Sequence, residues 1–267
     1  MTLIDSHCHL ESFARNGSLD TVLERAAAAG VAEMICVGTE VEDWSLYRDL
    51  TRTHPGHLHY TVGLHPCNVD EGWQDALACL SPWFADATLP VALGEIGLDN
   101  FHLPKDAEQI AVVQKRQLEA FRTQLGIAAQ FDVPVVIHAR KAFAECVREI
   151  DASGVDWRRV VFHCFSEGPE EVRELNRRGG RASFTGVLTY PGAASVREAA
   201  LAQGLDKLMV ETDSPYLAPQ PVRGKPNEPA HVRFTAETAA KLFGVTLDAL
   251  ADTATANTRA FFSLPSA

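Results

Sequence analysis

The sequence predicts a single-domain α/β protein, a (β/α)8 TIM barrel over residues 1–267, and three observations carry that expectation. Eight short apolar runs alternate with helical stretches along the whole chain. The runs are apolar throughout rather than alternating, as strands of a parallel sheet covered on both faces are. The length suits one barrel with a large core, and no linker, low-complexity run or shift in composition marks a second domain. A doubly wound open sheet is the alternative, but the glycine fingerprint expected after its first strand is absent.

Taken in order, residues 3–7 read as the first strand and 19–29 as an Ala-rich amphipathic helix stopped at Gly30. Residues 31–37 form a second strand, and 42–51 a helix ended before His54-Pro55-Gly56. A third strand over 59–62 leads to Gly63-Leu64-His65-Pro66, and 73–85 is helical. The fourth strand, 90–93, runs into Gly94-Glu95-Ile96-Gly97-Leu98-Asp99, followed by the longest helical pattern, 106–131. A fifth strand over 134–137 enters His138-Ala139-Arg140, with a helix over 141–150. Strand six (160–162) precedes a helix over 169–178. Strand seven (181–184) is less apolar and precedes a helix over 195–201. Strand eight (207–210) enters Glu211-Thr212-Asp213, and the chain is helical again from Glu228 onward.

Composition excludes some classes. No run of about 18 apolar residues exists, so no transmembrane span is expected, and no basic segment with an apolar stretch marks a signal peptide. Six scattered cysteines without a Cys-x-x-Cys pair suit reduced thiols in a cytoplasm. The net charge of -11 opposes broad attraction to nucleic acid, though a local cationic site is enough to hold a phosphate. No obligate protein partner is evident.

The chemistry concentrates at strand ends. His7 and His9 follow strand one, two apart and so on one face. Glu95 follows strand four, His138 strand five, His163 strand six and Asp213 strand eight. In a barrel these carboxyl ends converge on the face where active sites are built. Four imidazoles and two carboxylates there suit two divalent ions with a bridging carboxylate. Taken singly, each histidine also reads as a satisfied polar residue at the core edge, and Glu95 or Asp213 as a helix cap or ion-pair partner. His57-Leu58-His59 is a second His-x-His, but it opens strand three and so faces the opposite end. It reads as structural, as do His54 and His231. His65 is on the active face as a candidate substrate contact, and His102 is left open. Arg140 and Lys141 fall at the start of a predicted helix, where cations oppose the dipole; that placement points to a phosphate role.

The ordered motifs Asp5-Ser6-His7-Cys8-His9, 62–66, 94–99, 136–140, His163-Cys164-Phe165-Ser166, 211–217 and 223–229 resemble the TatD family of metal-dependent deoxyribonucleases, within the amidohydrolase superfamily. The resemblance covers nearly the whole chain. It implies that His7, His9, Glu95, His138, His163 and Asp213 are metal ligands. It also implies hydrolysis of DNA phosphodiester bonds, typically from 3' ends of single strands, with two divalent ions (Mg²⁺, Mn²⁺ or Zn²⁺). Two positions depart from the pattern: Asn100, where an aromatic residue commonly follows, and Pro226, where a basic residue is common. The expected catalytic groups are Asp213, as base, and Glu95, holding the ions. His65, Arg140, Arg223 and the Asn227 amide are expected to contact substrate. The competing expectation is an amidohydrolase-type enzyme acting on a small ester, lactone or phosphorylated substrate; a non-catalytic metal-binding barrel is the alternative outside enzymes.

Overall fold

In the computed structural model, which describes residues 1–264, eight parallel strands join in sequence order into one sheet. They are β1 (Leu3–Cys8), β2 (Val31–Cys36), β3 (Leu58–Val62), β4 (Ala92–Asp99), β5 (Val135–Arg140), β6 (Val160–Phe162), β7 (Arg181–Phe184) and β8 (Met209–Val210). The ends of the sheet meet: Cys8 bridges Ser214, and the Asp213 N–H donates to the His7 carbonyl at 2.9 Å. The His9 N–H donates to the Ser214 carbonyl at 2.8 Å, so the barrel is nearly closed along a β1–β8 seam.

Helices α1 (Glu11–Arg15), α2 (Leu19–Ala28), α3 (Val41–Thr53), α4 (Trp73–Ala78), α5 (Ala107–Phe131), α6 (Phe143–Ser153), α7 (Pro169–Arg178), α8 (Ala194–Gln203), α9 (Val232–Phe243) and α10 (Leu247–Phe262) connect and follow the strands. Their apolar faces and the outer strand residues share one large core that includes Trp44, Tyr47, Tyr60 and Phe121, all fully buried. A separate cluster takes Ile4, Ile35, Ala92, Val136, Val161 and Met209 from six strands, with Phe261 and Phe262 of α10 packed on it. One residue per strand is the pattern of a filled barrel interior rather than a pore.

The elements differ from the sequence expectation where local chemistry intervenes. The 73–85 stretch splits, because Pro82 has no N–H to continue α4; Ser81–Ala85 is a 3₁₀ turn. Strand β4 runs on through Asp99, so Glu95 lies within the strand rather than after it. Strand β5 likewise runs to Arg140, and α6 begins only at Phe143. Arg140 and Lys141 are therefore not first-turn helix residues, and the dipole argument for them falls away. Asp106 caps α5 by accepting from the Gln109 N–H at 3.0 Å. Gly244, left-handed, separates α9 from α10 in the C-terminal helical stretch. All six cysteines are free thiols, and no helix among the described residues is long and apolar enough to cross a membrane.

Candidate metal centre

The carboxyl ends of the strands surround a cavity of about 500 Å³, and Glu95 lies at its floor, 3% exposed. Its two oxygens divide the surrounding imidazoles into two groups. Oε2 faces His7 Nε2 at 3.4 Å and His9 Nε2 at 3.9 Å. Asp213 Oδ1 closes that group, 3.7 Å from His7 Nε2 and 3.4 Å from His9 Nε2, which are themselves 3.3 Å apart. Oε1 faces His163 Nε2 at 2.6 Å, His138 Nδ1 at 2.8 Å and His65 Nε2 at 3.3 Å.

The first group fits a divalent ion. Ligand atoms about 2.0–2.2 Å from a tetrahedral ion sit about 3.3–3.6 Å from one another, and the His7–His9, His7–Glu95 and His9–Asp213 separations of 3.3, 3.4 and 3.4 Å have that length. The second group is drawn in to hydrogen-bond length around Oε1. One carboxylate with an oxygen on each group is the arrangement that bridges two cations. The six residues picked out by strand-end position thus meet in one cluster.

The charges in the cluster depend on one another. Burial alone would raise the Glu95 carboxyl, but the His163, His65 and His138 imidazoles hold it well below its ordinary range. Burial would likewise depress His163, yet the Glu95 and Glu211 carboxylates lift it well above. Burial and the neighbouring His163 together lower His7. Asp213 is held low by His9, against its own burial.

Three acids that strand-end reading passed over hold these ligands in place. Asp99 accepts from His138 Nε2 at 3.0 Å. Glu211 lies 3.5 Å from His163 Nδ1 and accepts from the Cys164 N–H at 2.6 Å and Ser183 Oγ at 2.5 Å. Asp5 accepts from the Thr212 N–H and hydroxyl across the seam, at 2.8 and 2.5 Å. Each lies inside a motif already visible in the sequence, two to four residues from a ligand. Counting every buried acid in those motifs, rather than one per strand end, was the signal available.

The expected substrate contacts separate. His65 belongs to the Glu95 cluster itself, and its Nδ1 accepts from the Cys67 N–H at 3.1 Å. Arg140 is exposed and lines the cavity, its guanidinium 5.0 Å from the Phe101 ring centre; Lys141 Nζ lies 4.9 Å from the same ring. Arg223 is exposed but stacks on Tyr190 at 4.3 Å, outside the cavity lining. Asn227 corrects the expectation. It is fully buried, its Nδ2 donates to the Thr212 and Tyr216 carbonyls at 2.9 and 2.6 Å, and its Oδ1 accepts from the Glu228 N–H at 3.0 Å. With both ends of its amide engaged, it braces the loop that carries Asp213 and has no atom left for a phosphate. At the other end of the barrel, His59 is buried against Glu33 at 2.9 Å, and Glu33 also takes Arg259, a structural pair as its position predicts. His102 donates to Asp99 at the cavity edge at 2.8 Å.

Known proteins resemble this chain in sequence and in fold. The family described as TatD related DNase matches residues 4–263. The chain is 36% identical to the "Uncharacterized metal-dependent hydrolase YcfH" of Escherichia coli (strain K12), over 99% of this chain and 97% of that one. It is 30% identical to the "3'-5' ssDNA/RNA exonuclease TatD" of Erwinia amylovora, covering 92% and 93% of the two chains. Among solved structures, the Escherichia coli K12 TatD homolog YJJV superposes with a TM-score of 0.89 at 27% identity, covering 98% of both chains.

Proposed function

Because the chain belongs to the TatD family of metal-dependent hydrolases, we propose that it hydrolyses phosphodiester bonds of single-stranded DNA, removing nucleotides from the 3' end. The observation that carries this reading is the Glu95-centred cluster at the floor of a cavity lined by Arg140, whose guanidinium reaches an aromatic ring just beyond that lining. Phe101, 50% exposed, stands beside both Arg140 and Lys141. On the opposite side Tyr216 is 59% exposed, its ring 6.2 Å from that of His9. Aromatic faces for bases next to cations for phosphates are how single strands are held without reading sequence. Phe101 supplies the aromatic group that position 100, an asparagine here, does not.

His7, His9, Glu95 and Asp213 would hold one divalent ion, and Glu95, His138 and His163 a second. Such ions, when bound, polarise a phosphoryl oxygen and bring a water's pKa toward neutrality. Asp213, which completes the first group and faces the cavity, would orient the attacking water and take up its proton. His65, its Nδ1 held by the Cys67 N–H and its Nε2 turned to Glu95, steadies the bridging carboxylate at the cavity edge instead of contacting substrate. Arg140 holds the phosphate against the rim, which concentrates positive charge on a chain that is acidic as a whole.

The test uses metal-stripped protein with DNA labelled at either end and Mg²⁺, Mn²⁺ or Zn²⁺ added in turn. Stepwise loss from the 3' end, absent in Asp213→Asn with ions still bound, is the expected result. A cavity of small-molecule size on an acidic protein supports a second reading, a small phosphorylated, ester or lactone substrate. Ion-loaded protein that leaves DNA intact while cleaving a member of an ester, lactone and phosphomonoester panel would establish it instead.

A further inference from the structure

A second donor cluster stands at the cavity mouth, and the catalytic reading makes no use of its thiol. Cys67 Sγ lies 3.6 Å from Asp99 Oδ2, and His102 Nδ1 lies 2.8 Å from the same oxygen. The ligating atoms of Cys67, Asp99 and His102 all fall within 4.8 Å of one another, and all three residues line the cavity. They come from separate places: Cys67 from the 3₁₀ turn after β3, Asp99 from the end of β4, and His102 from the loop beyond it. Cys67 and His102 are exposed, whereas Asp99 is fully buried.

We propose that Cys67, Asp99 and His102 form a further divalent-metal site, suited to a thiophilic ion such as Zn²⁺, Co²⁺ or Cd²⁺, with a free coordination position toward the cavity. The donor set is the mixed sulfur, nitrogen and oxygen type that such ions prefer, and three protein ligands with an open position is the pattern of a reactive rather than a structural site. The protons already point the right way. The Cys67 thiol and the His102 imidazole both direct hydrogen at Asp99 Oδ2, so one cation takes the place of two hydrogens. On binding, the S–H bond breaks and a sulfur–metal bond forms, with one proton released to solvent. The imidazole keeps its proton by moving it to Nε2. Thiolate and carboxylate then neutralise the dication, leaving a site without net charge that takes water or an anionic oxygen as its last ligand.

The site also connects to the floor of the cavity, since Asp99 Oδ2 accepts from His138 Nε2 at 3.0 Å. The proposal does not depend on what the enzyme hydrolyses. The Glu95 cluster holds only nitrogen and oxygen donors, so sulfur is the distinguishing signature. Protein loaded with Co²⁺ is expected to show an ultraviolet thiolate-to-cobalt charge-transfer band and to hold one ion more than its Cys67→Ser variant. The band is expected to disappear in Cys67→Ser, to be lost or weakened several-fold in His102→Ala, and to persist in Cys164→Ser, whose thiol also lines the cavity. No band in fully loaded protein overturns the site. So does a band that survives Cys67→Ser, or one that is unchanged in His102→Ala, which would describe a lone surface thiol.

Discussion

Glu211 illustrates how much of this centre rests on a residue that touches no substrate. It is fully buried, braced by Ser183 and the Cys164 N–H, and faces His163. Carboxylates that orient metal-binding imidazoles are commonly worth 10–100-fold. Glu211→Gln is therefore expected to lose about 10–100-fold in metal affinity or turnover with the fold retained, read by metal titration and circular dichroism. His138→Ala, which removes a donor outright, is expected to lower bound metal and abolish turnover. Asp43 gives a stability prediction at the same scale. Burial pushes its carboxyl up to about 7, against the Thr39 hydrogen bonds that favour ionisation. Between its ordinary value and about 7 the unfolded chain has released the proton that the folded chain still holds, so stability falls as pH rises through that window. Urea midpoints measured from pH 5 to pH 8 are expected to fall less in Asp43→Asn than in the parent protein.

Among the elements, the rim formed by the end of β5 and the loop after β4 makes the sharpest prediction. Lys141, at a left-handed φ of 53°, places its ammonium 4.9 Å from the Phe101 ring centre. Stacking of one base on an aromatic ring is worth about 1–3 kcal/mol, so Phe101→Ala is expected to weaken single-stranded DNA binding by about 5–150-fold, with little change in bound metal; fluorescence anisotropy of a labelled oligonucleotide checks it. This rim was not legible in the sequence. Residues 90–93 and 134–137 show their apolar cores plainly, but both strands continue through Glu95 to Asp99 and through His138 to Arg140, where polar side chains face the cavity and hide the strand from an apolar criterion. The clustering of His7, His9, Glu95, His138, His163 and Asp213 was legible because each ends or extends a strand, and a barrel brings strand ends together whatever the exact boundaries. Asn227 was not, since a buried bracing amide and a phosphate-binding one look alike in sequence and differ only in whether the amide's partners are already present.

At the scale of the whole molecule, stability is expected to depend on bound divalent ions. The barrel fills its interior with apolar residues at one end and with buried imidazoles and carboxylates at the other, where carboxylates and imidazoles offset part of one another's burial cost while neighbouring imidazoles such as His7 and His163 disfavour each other's charge. Binding to the folded state alone adds about 2.7 kcal/mol at a hundredfold excess over the dissociation constant. In a chain of this length that corresponds to about 5–10 °C in the unfolding midpoint. Calorimetry of stripped protein is expected to give a midpoint lower by that amount, restored by Mn²⁺ or Zn²⁺. In His7→Ala the restoration is expected to be largely lost.

The β1–β8 seam carries a further consequence. His7 and His9 lie on one side of it and Asp213 on the other, joined by the Asp213-to-His7 and His9-to-Ser214 backbone bonds. More than two hundred residues separate the two halves of the first ion group. A chain growing from the ribosome therefore carries two histidines early, with no carboxylate from the seam to complete them. The first ion group is assembled only when the last strand has been synthesised and has zipped onto the first. Hydrolytic capacity is in this sense a report of finished folding: a truncated or half-folded copy lacks Asp213 at its post, so it holds its histidines without the carboxylate that faces them across the seam.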